Sequence, residues 1–479
     1  MSLHTTLISI RRNLFTRELW SDLKEAIRGS EKDFTKIPIS KAIILLSIPM
    51  VLEMSMESVF ALVDIWFVSR LGAAEVAVVG ITESLMTIVY AIGMGLGVGT
   101  TAVVSRRIGE KRPRDAAQAS IQAIIASIAI SMVFSVIGII FAKDLLRFMG
   151  ASEATIEMGY HYPMIMLGGN AVIMLLFVIN AVFRSSGDAA VSMRVLWIAN
   201  LLNIALDPLL IFGWGPIPAL GLKGAAIATN TGRGIAVLYQ LYLLTRGSYR
   251  IKVLMTDIKI RFKTIWKVVK LSLGAIGQNV ISHSSWVFLV WVITSLGEEA
   301  IAGYTIAIRI IIFVLLPAWG MANAAATLVG QNLGAKRPDR AERSAWIVGG
   351  VNMVLLSLVS IIFISVPHVF INFFIDRAAA PEVWQAGIIC LRVVSFGFII
   401  YAIGMVMVQA INGAGDTATP IWLNVIAFWI IEIPLAYILT NVAGMGVQGV
   451  GLAIVIAEAV LAVLAMIIFK RGKWKLKVV

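Results

Sequence analysis

Apolar residues in this chain neither alternate with polar ones nor form narrow stripes. They come in long runs broken by short, mostly basic loops. Twelve runs can be read, near 41–69, 77–105, 117–142, 158–183, 193–213, 220–245, 268–296, 301–329, 344–367, 385–411, 420–441 and 447–469. A bilayer core takes about 20 apolar residues as a helix. Barrel strands would be about 10 residues long with strict alternation, so the runs predict an all-α polytopic membrane protein with twelve transmembrane helices.

Composition agrees. Of 479 residues, 59% are hydrophobic and 14% charged, against roughly 25% charged in soluble proteins. Water-soluble folds cannot hide that much apolar surface, and disordered chains are poor in it. Cys390 is the single cysteine, which excludes an intramolecular disulfide and a multi-cysteine metal site.

The formal charge of +13 is explained by position. With the N-terminus inside, 32 of the 40 Lys and Arg residues fall in inside loops and tails. Five (Arg70, Lys143, Arg147, Lys223 and Arg377) fall outside, and three (Arg233, Arg309 and Arg392) lie within spans. This asymmetry places both termini in the cytoplasm of a cell that carries the protein in its plasma or inner membrane. The excess charge reads as topology and contact with anionic lipids, with no nucleic-acid partner. Residues 1–38 lack a clean apolar region before a small-residue cleavage site, so no secretory signal is expected. Within them, 7–28 read as an amphipathic helix on the membrane surface or a partly ordered tail.

The chain repeats itself. SRLGAAEVAVVGI at 69–81 matches TSLGEEAIAGYTI at 294–306, IGEKRPRDAA at 108–117 matches NLGAKRPDRAE at 332–342, and ALGLKGAAIA at 219–228 matches GMGVQGVGLA at 444–453, all at an offset of 225. RSSGDAA at 184–190 matches NGAGDTA at 412–418 at 228. Six spans repeated as six give parallel halves related by a pseudo-two-fold axis along the membrane normal. The expected organisation is an N-terminal segment at 1–38, an N-lobe at 39–245, a linker at 246–267, a C-lobe at 268–469 and a basic tail at 470–479. GMGLGVG at 93–99 sits inside an apolar span, where close packing of helices through small residues explains it better than a dinucleotide loop.

Ionisable residues within spans are costly and point to function. Glu53, Glu57 and Asp64 differ by 4 and 7 positions, so they share one stripe of the first helix. Asn203 and Asp207 are i and i+4 on the fifth, and Pro208 removes the hydrogen bond to the Ile204 carbonyl. Asp64 and Asp207 each lie six residues from an outer helix end, roughly 9 Å deep at about 1.5 Å per residue. Neither has a twin, since the repeat places Leu289 and Leu435 at the matching positions. Two carboxylates sharing a low-dielectric site do not both stay charged without a cation beside them. Structural hydrogen bonding is the plainer alternative. Glu53 or Glu57 is expected to pair with Arg233. Arg309, Arg392, Glu432 and Glu458 are expected to form ion pairs inside the second lobe.

The twelve spans in two lobes, VDIWFVSRLGAAEVA in span 1, the paired GEKRPRDA and GAKRPDRA loops and the paired SGDA and AGDT turns together resemble the multidrug and toxic compound extrusion (MATE) transporters, from about residue 38 to 470. The resemblance implies an antiporter, driven by H+ or Na+, that exports small organic compounds, cationic or amphipathic, by alternating access. Span 10 lacks the Asp of one branch. Asp64, with Asn203 and Asp207 in NIALDP, is similar to the DinF-like and archaeal branch. That similarity implies a cation site of Asp64, Asn203, Asp207 and Thr229, the first three as Na+ ligands if sodium is the coupling ion. Glu53, Glu57, Phe60, Asn180 and Arg233 are candidates for the substrate cavity or for coupling, with Phe60 standing where the branch often has an aromatic hydroxyl. No cofactor and no enzymatic activity are expected, and the protein is expected to act as a monomer. A lipid-linked oligosaccharide flippase of the same superfamily is the alternative. Scattered histidines (His4, His161, His283 and His368) and the lack of a P-loop offer no catalytic centre or ATP site.

Overall fold

The computed structural model describes residues 18–247, 249–254 and 258–479. Residues 7–17 of the expected surface helix fall outside them, and 18–28 are helical, with Trp20 exposed. Twelve spans follow: α1 (Ile39–Ser69), α2 (Ala73–Gly109), α3 (Pro113–Ile140), α4 (His161–Ser186), α5 (Ala189–Ile211), α6 (Leu222–Arg246), α7 (Phe262–Thr294), α8 (Glu298–Gly334), α9 (Pro338–Ser365), α10 (Pro381–Phe396 and Phe398–Gly413), α11 (Ala418–Val442) and α12 (Val447–Arg471).

Ten of these helices are long and apolar enough to cross a membrane, and α10, bent by 57° at its break, makes an eleventh. The twelfth, α6, has the length. It falls short in apolar content because Thr229, Arg233 and Gln240 are buried on its inward side. Helix α7 begins at Phe262, six residues before the expected C-lobe boundary. Its first turns carry Lys263 and Lys267 beside exposed Phe262 and Trp266, an interfacial mixture that interrupts the apolar run.

The repeat is visible in the backbone. Helices α2 and α8 are both 37 residues long, α3 and α9 both 28, and α6 and α12 both 25. Among the described residues Lys111 (φ 61°) and Lys336 (φ 58°) are the non-glycine residues with positive φ. They are 225 positions apart, in the paired KRP loops. Each half packs as a six-helix lobe, and the two lobes are related by the pseudo-two-fold axis that the repeat predicts.

The lobes meet where α1 and α2 pack against α7 and α8. Small residues set the distance. A Cβ on Gly320 would lie 2.4 Å from the Met50 carbonyl oxygen, and one on Gly334 2.2 Å from that of Arg106. The GMGLGVG string is helical. Its Gly95 and Gly99 meet Ile276 and Ser272 of α7, while Gly93 and Gly97 meet Phe177 and Ala181 of α4. These approaches run from mid-span to the end bearing the KRP loops, here the basic end, so the lobes are sealed there. At the opposite half Leu62 and Trp66 of α1, four and eight residues beyond Ser58, whose hydroxyl donates to the Phe313 carbonyl of α8 at 3.0 Å, are exposed.

One prediction follows from this seam. A Cβ at Gly109 would lie 2.0 Å from the Gln331 carbonyl oxygen, whereas one at Gly80 meets nothing within 4 Å. Gly109→Ala should cost about 1–3 kcal/mol and lower the denaturant midpoint in mixed micelles. Gly80→Ala should leave it within about 0.5 kcal/mol.

Candidate functional site

Helices α1, α5 and α6 of the N-lobe carry most of the buried charge. Gly232 lets α6 come close to α5, since a Cβ there would lie 2.9 Å from the Ala199 carbonyl oxygen. That approach sets Thr229 against Asn203. Trp197 Nε1 donates to the Leu52 carbonyl (3.0 Å) and Asn200 Nδ2 to Glu57 Oε2 (3.1 Å), which tie α5 to α1.

Asn203 sits between Asp207 and Thr229. An amide oxygen turned toward Asp207 would face another acceptor, so the amide nitrogen belongs there. In that orientation Nδ2 donates to Asp207 Oδ2 (2.8 Å), and the amide oxygen accepts from Thr229 Oγ1 (3.0 Å) and Thr229 N (2.9 Å). Asp207 is fully buried, and its second oxygen, Oδ1, has no hydrogen-bond partner among the described residues. Such an oxygen forgoes its hydration without replacement. Asp64 is within electrostatic reach of Asp207. Asp64 is half-buried, and among the described residues it makes no hydrogen bond or ion pair.

The other carboxylates of α1 are matched. Glu57 Oε1 accepts from Arg233 Nη2 at 3.1 Å. Arg233, 6% exposed, also lies over the Phe60 ring, its guanidinium carbon 5.4 Å from the centroid. Glu53 does not share that arginine. It pairs instead with Arg184 of α4, at 3.4 Å. The sequence counted Arg184 among the loop residues, but it ends α4 only 12% exposed, because the last turn of that helix faces α1.

Asp64, Asn203, Asp207, Thr229, Glu57, Phe60 and Arg233 thus occupy one region. Asn180 does not join it. Its Oδ1 accepts from Gln240 Nε2 and its carbonyl from Ser192, in a polar cluster nearer the basic end. Two groups that sequence spacing gave no reason to combine are present. Tyr162 of α4 is buried within electrostatic reach of Asp64 and Asp207. Glu83 of α2 is within reach of Asp64 and also faces Arg309 across the lobes. No one helix holds more than a part of this set, so periodicity could not assemble it.

The C-lobe ion pairs expected from the sequence are not formed among the described residues. Glu432 accepts from Ser285, and Arg392 donates to the Ile364 carbonyl at 3.2 Å. A hydroxyl and a backbone oxygen within reach satisfy these groups in place of each other. His283 Nδ1 is bonded to the Asn279 carbonyl at 2.7 Å.

Comparison with known proteins gives the family and the fold. A family model described as MatE matches residues 49–209 and 275–438. A FAD transporter of Shewanella oneidensis is 26% identical over 435 residues, 89% of this chain and 93% of its own. The multidrug export protein MepA of Staphylococcus aureus is 24% identical over 439 residues, 91% of this chain and 94% of its own. The solved structure of a MOP superfamily transporter from Pyrococcus furiosus superposes with a TM-score of 0.87 at 25% identity, over 93% of this chain and 98% of its own. That protein is described as having a binding pocket of reverse polarity that suggests a different function.

Asn203→Leu removes the donor to Asp207 and leaves both oxygens of a buried carboxylate unbonded. It should lower stability by about 1–3 kcal/mol, read as an earlier denaturant midpoint. Adding Asp207→Leu should recover part of that loss.

Proposed function

The chain belongs to the MatE family of membrane transporters, and on that premise we propose that it is a cation-coupled antiporter that exports small organic compounds by alternating access. One observation carries the reading. Within the N-lobe, Glu53 and Glu57 each have an arginine, at 3.4 and 3.1 Å, whereas Asp64 and Asp207 form no ion pair among the described residues, Arg233 being within electrostatic reach of Asp64 but bonded to Glu57. A carboxylate pair kept in apolar spans without an ion pair of its own has a use for a mobile cation. H+ or Na+ fills that role, and no cofactor or bond-making chemistry is needed.

The basic end lies in the cytoplasm by the distribution of Lys and Arg, so the sealed basic end corresponds to an outward-open state. A cation entering from outside meets half-buried Asp64 first and then Asp207 Oδ1. A proton leaves the Asn203 amide as it stands, since its N–H already donates to Asp207. Na+ asks for the amide to turn by 180°. The Asn203 oxygen then joins the carboxylates as a ligand, Nδ2 donates to Thr229 Oγ1 at 3.0 Å, and the hydrogen bond from Thr229 N is given up. Either cation removes negative charge from the outer half of α1. The electrostatic balance among Asp64, Arg233 and Glu57 then changes, and α1 repacks. Coupling requires that substrate and cation favour different lobe arrangements. Substrate binds in the cleft between the lobes, and the protein works as a monomer in the cell membrane.

The test is transport in proteoliposomes under an imposed H+ gradient and, separately, an imposed Na+ gradient. A fluorescent organic cation is one substrate and FAD another, because one relative is named for it. Transport should follow one gradient, and Asp64→Asn and Asp207→Asn should each lower it at least tenfold. Transport at the wild-type rate in either variant, or none under both gradients with folded protein, would overturn the reading.

A further inference from the structure

The paired KRP loops and the SGDA turn lie far from the carboxylates, at the basic end, and the transport reading gives them no task. Three of these motifs converge on one short piece of chain, residues 29–37, which precedes α1. From the N-lobe, Lys111 Nζ donates to Asp33 Oδ2 at 2.5 Å. From the C-lobe, Arg337 Nη1 donates to the Thr35 carbonyl at 2.8 Å, and Arg340 Nη2 to the carbonyls of Phe34, at 3.1 Å, and Ile37. Lys111 and Arg337 belong to the two copies of the same repeated loop. The loops therefore grip the segment from both sides.

The middle of the segment is buried. Phe34 has no exposed surface and joins the apolar cluster that spans α1 and α8. It covers the SGDA turn so closely that a Cβ on Gly187 would lie 2.4 Å from its ring. Arg250 of the linker lies over that ring, 5.0 Å from the centroid, and donates to the Ser186 carbonyl (3.0 Å) and to that of Lys32. Asp33 organises the turn, accepting from Thr35 N at 3.1 Å and from its hydroxyl. Burial opposes its charge, yet the hydrogen bonds from Lys111 and Thr35 hold the carboxyl down at about 2. The Lys111 contact is therefore intact throughout the physiological pH range.

The AGDT turn of the C-lobe is covered in a related way. Lys477 pairs with Asp416 at 3.2 Å, and a Cβ on Gly415 would lie 2.1 Å from the Val479 side chain. Arg106 of α2 donates to the Lys477 carbonyl (2.8 Å) and to that of Ala414 (3.2 Å), so this stretch too touches both lobes.

We propose that residues 29–37 form an interlobe clasp, held by the two repeated KRP loops, that keeps the basic end shut and releases one lobe when that end opens. The lobes cannot separate there without breaking either the Lys111 contact or the Arg337 and Arg340 contacts. The exposed Lys111–Asp33 pair is the weaker hold, since exposed ion pairs contribute little, and it lets go first. The clasp rests on the alternating-access reading, which the same experiment tests separately.

Spin labels on cysteines at Arg114 and Arg343, both exposed and outside the clasp, report the separation of the lobes at the basic end of the full chain in nanodiscs. Cys390 is buried and stays unlabelled. Double electron–electron resonance is recorded over a range of pH and Na+ concentration. Relative to the wild type, Asp33→Ala should raise the ratio of separated to closed lobes about two- to fivefold. Arg337→Ala combined with Arg340→Ala should raise it further. Lys111→Met, which leaves the Thr35 hydrogen bonds to Asp33 in place, should raise it to a similar extent as Asp33→Ala. A wild type that shows both distances while every variant keeps its ratio would overturn the clasp alone. A single closed distance in all proteins under all conditions would overturn the clasp and alternating access together.

Discussion

A span of the bilayer accepts a charged side chain only when something beside it carries the opposite charge or replaces its water. The N-lobe obeys that constraint residue by residue. Arg184 serves Glu53, Arg233 serves Glu57, and Asn200 adds a second hydrogen bond to Glu57. Two turns further along the same stripe of α1 the compensation stops. Asp64 forms no hydrogen bond or ion pair among the described residues, with Arg233 only within electrostatic reach, and Oδ1 of Asp207 has no hydrogen-bond partner there. The packing of α5 on α6, through Gly232, presents Asn203 and Thr229 beside Asp207, where the cation is proposed to bind.

The repeat supplies the frame, and the site depends on breaking it. Matching helix lengths, matching left-handed lysines and matching loops show two lobes built to one plan. Leucines stand where Asp64 and Asp207 would recur, so this pair of carboxylates belongs to one lobe. The symmetry persists at the basic end, where both lobes present the same arginine- and lysine-bearing loop. Asymmetry at one depth and loop symmetry at another separate the proposed cation site from the place where the lobes are joined.

The fold was largely legible in the sequence. Hydropathy runs, the offset of 225 and the side on which basic residues fall all follow from local composition. The stripe of Glu53, Glu57 and Asp64, and the i, i+4 pair of Asn203 and Asp207, follow from helical spacing. Partner choice did not. Glu53 could as well have met Arg233 until tertiary packing turned Arg184 inward. Asn180 shares a lobe with the site yet bonds to Gln240. Glu83 and Tyr162 reach the carboxylates only through the packing of α2 and α4 on each other. The start of α7 was obscured by lysines that lie at an interface. Contacts in three dimensions, with no periodic trace, decide each of these cases.

Infrared difference spectroscopy of the purified protein tests the central claim most directly, because a protonated buried carboxyl has its own C=O stretch. Spectra would be taken as pH is raised and as Na+ is added. The expected result is a protonated-carboxyl band that changes with one or both treatments and is lost in Asp64→Asn and Asp207→Asn. A spectrum that responds to neither treatment, or a responding band that survives in both variants, would contradict a cation site at these two residues.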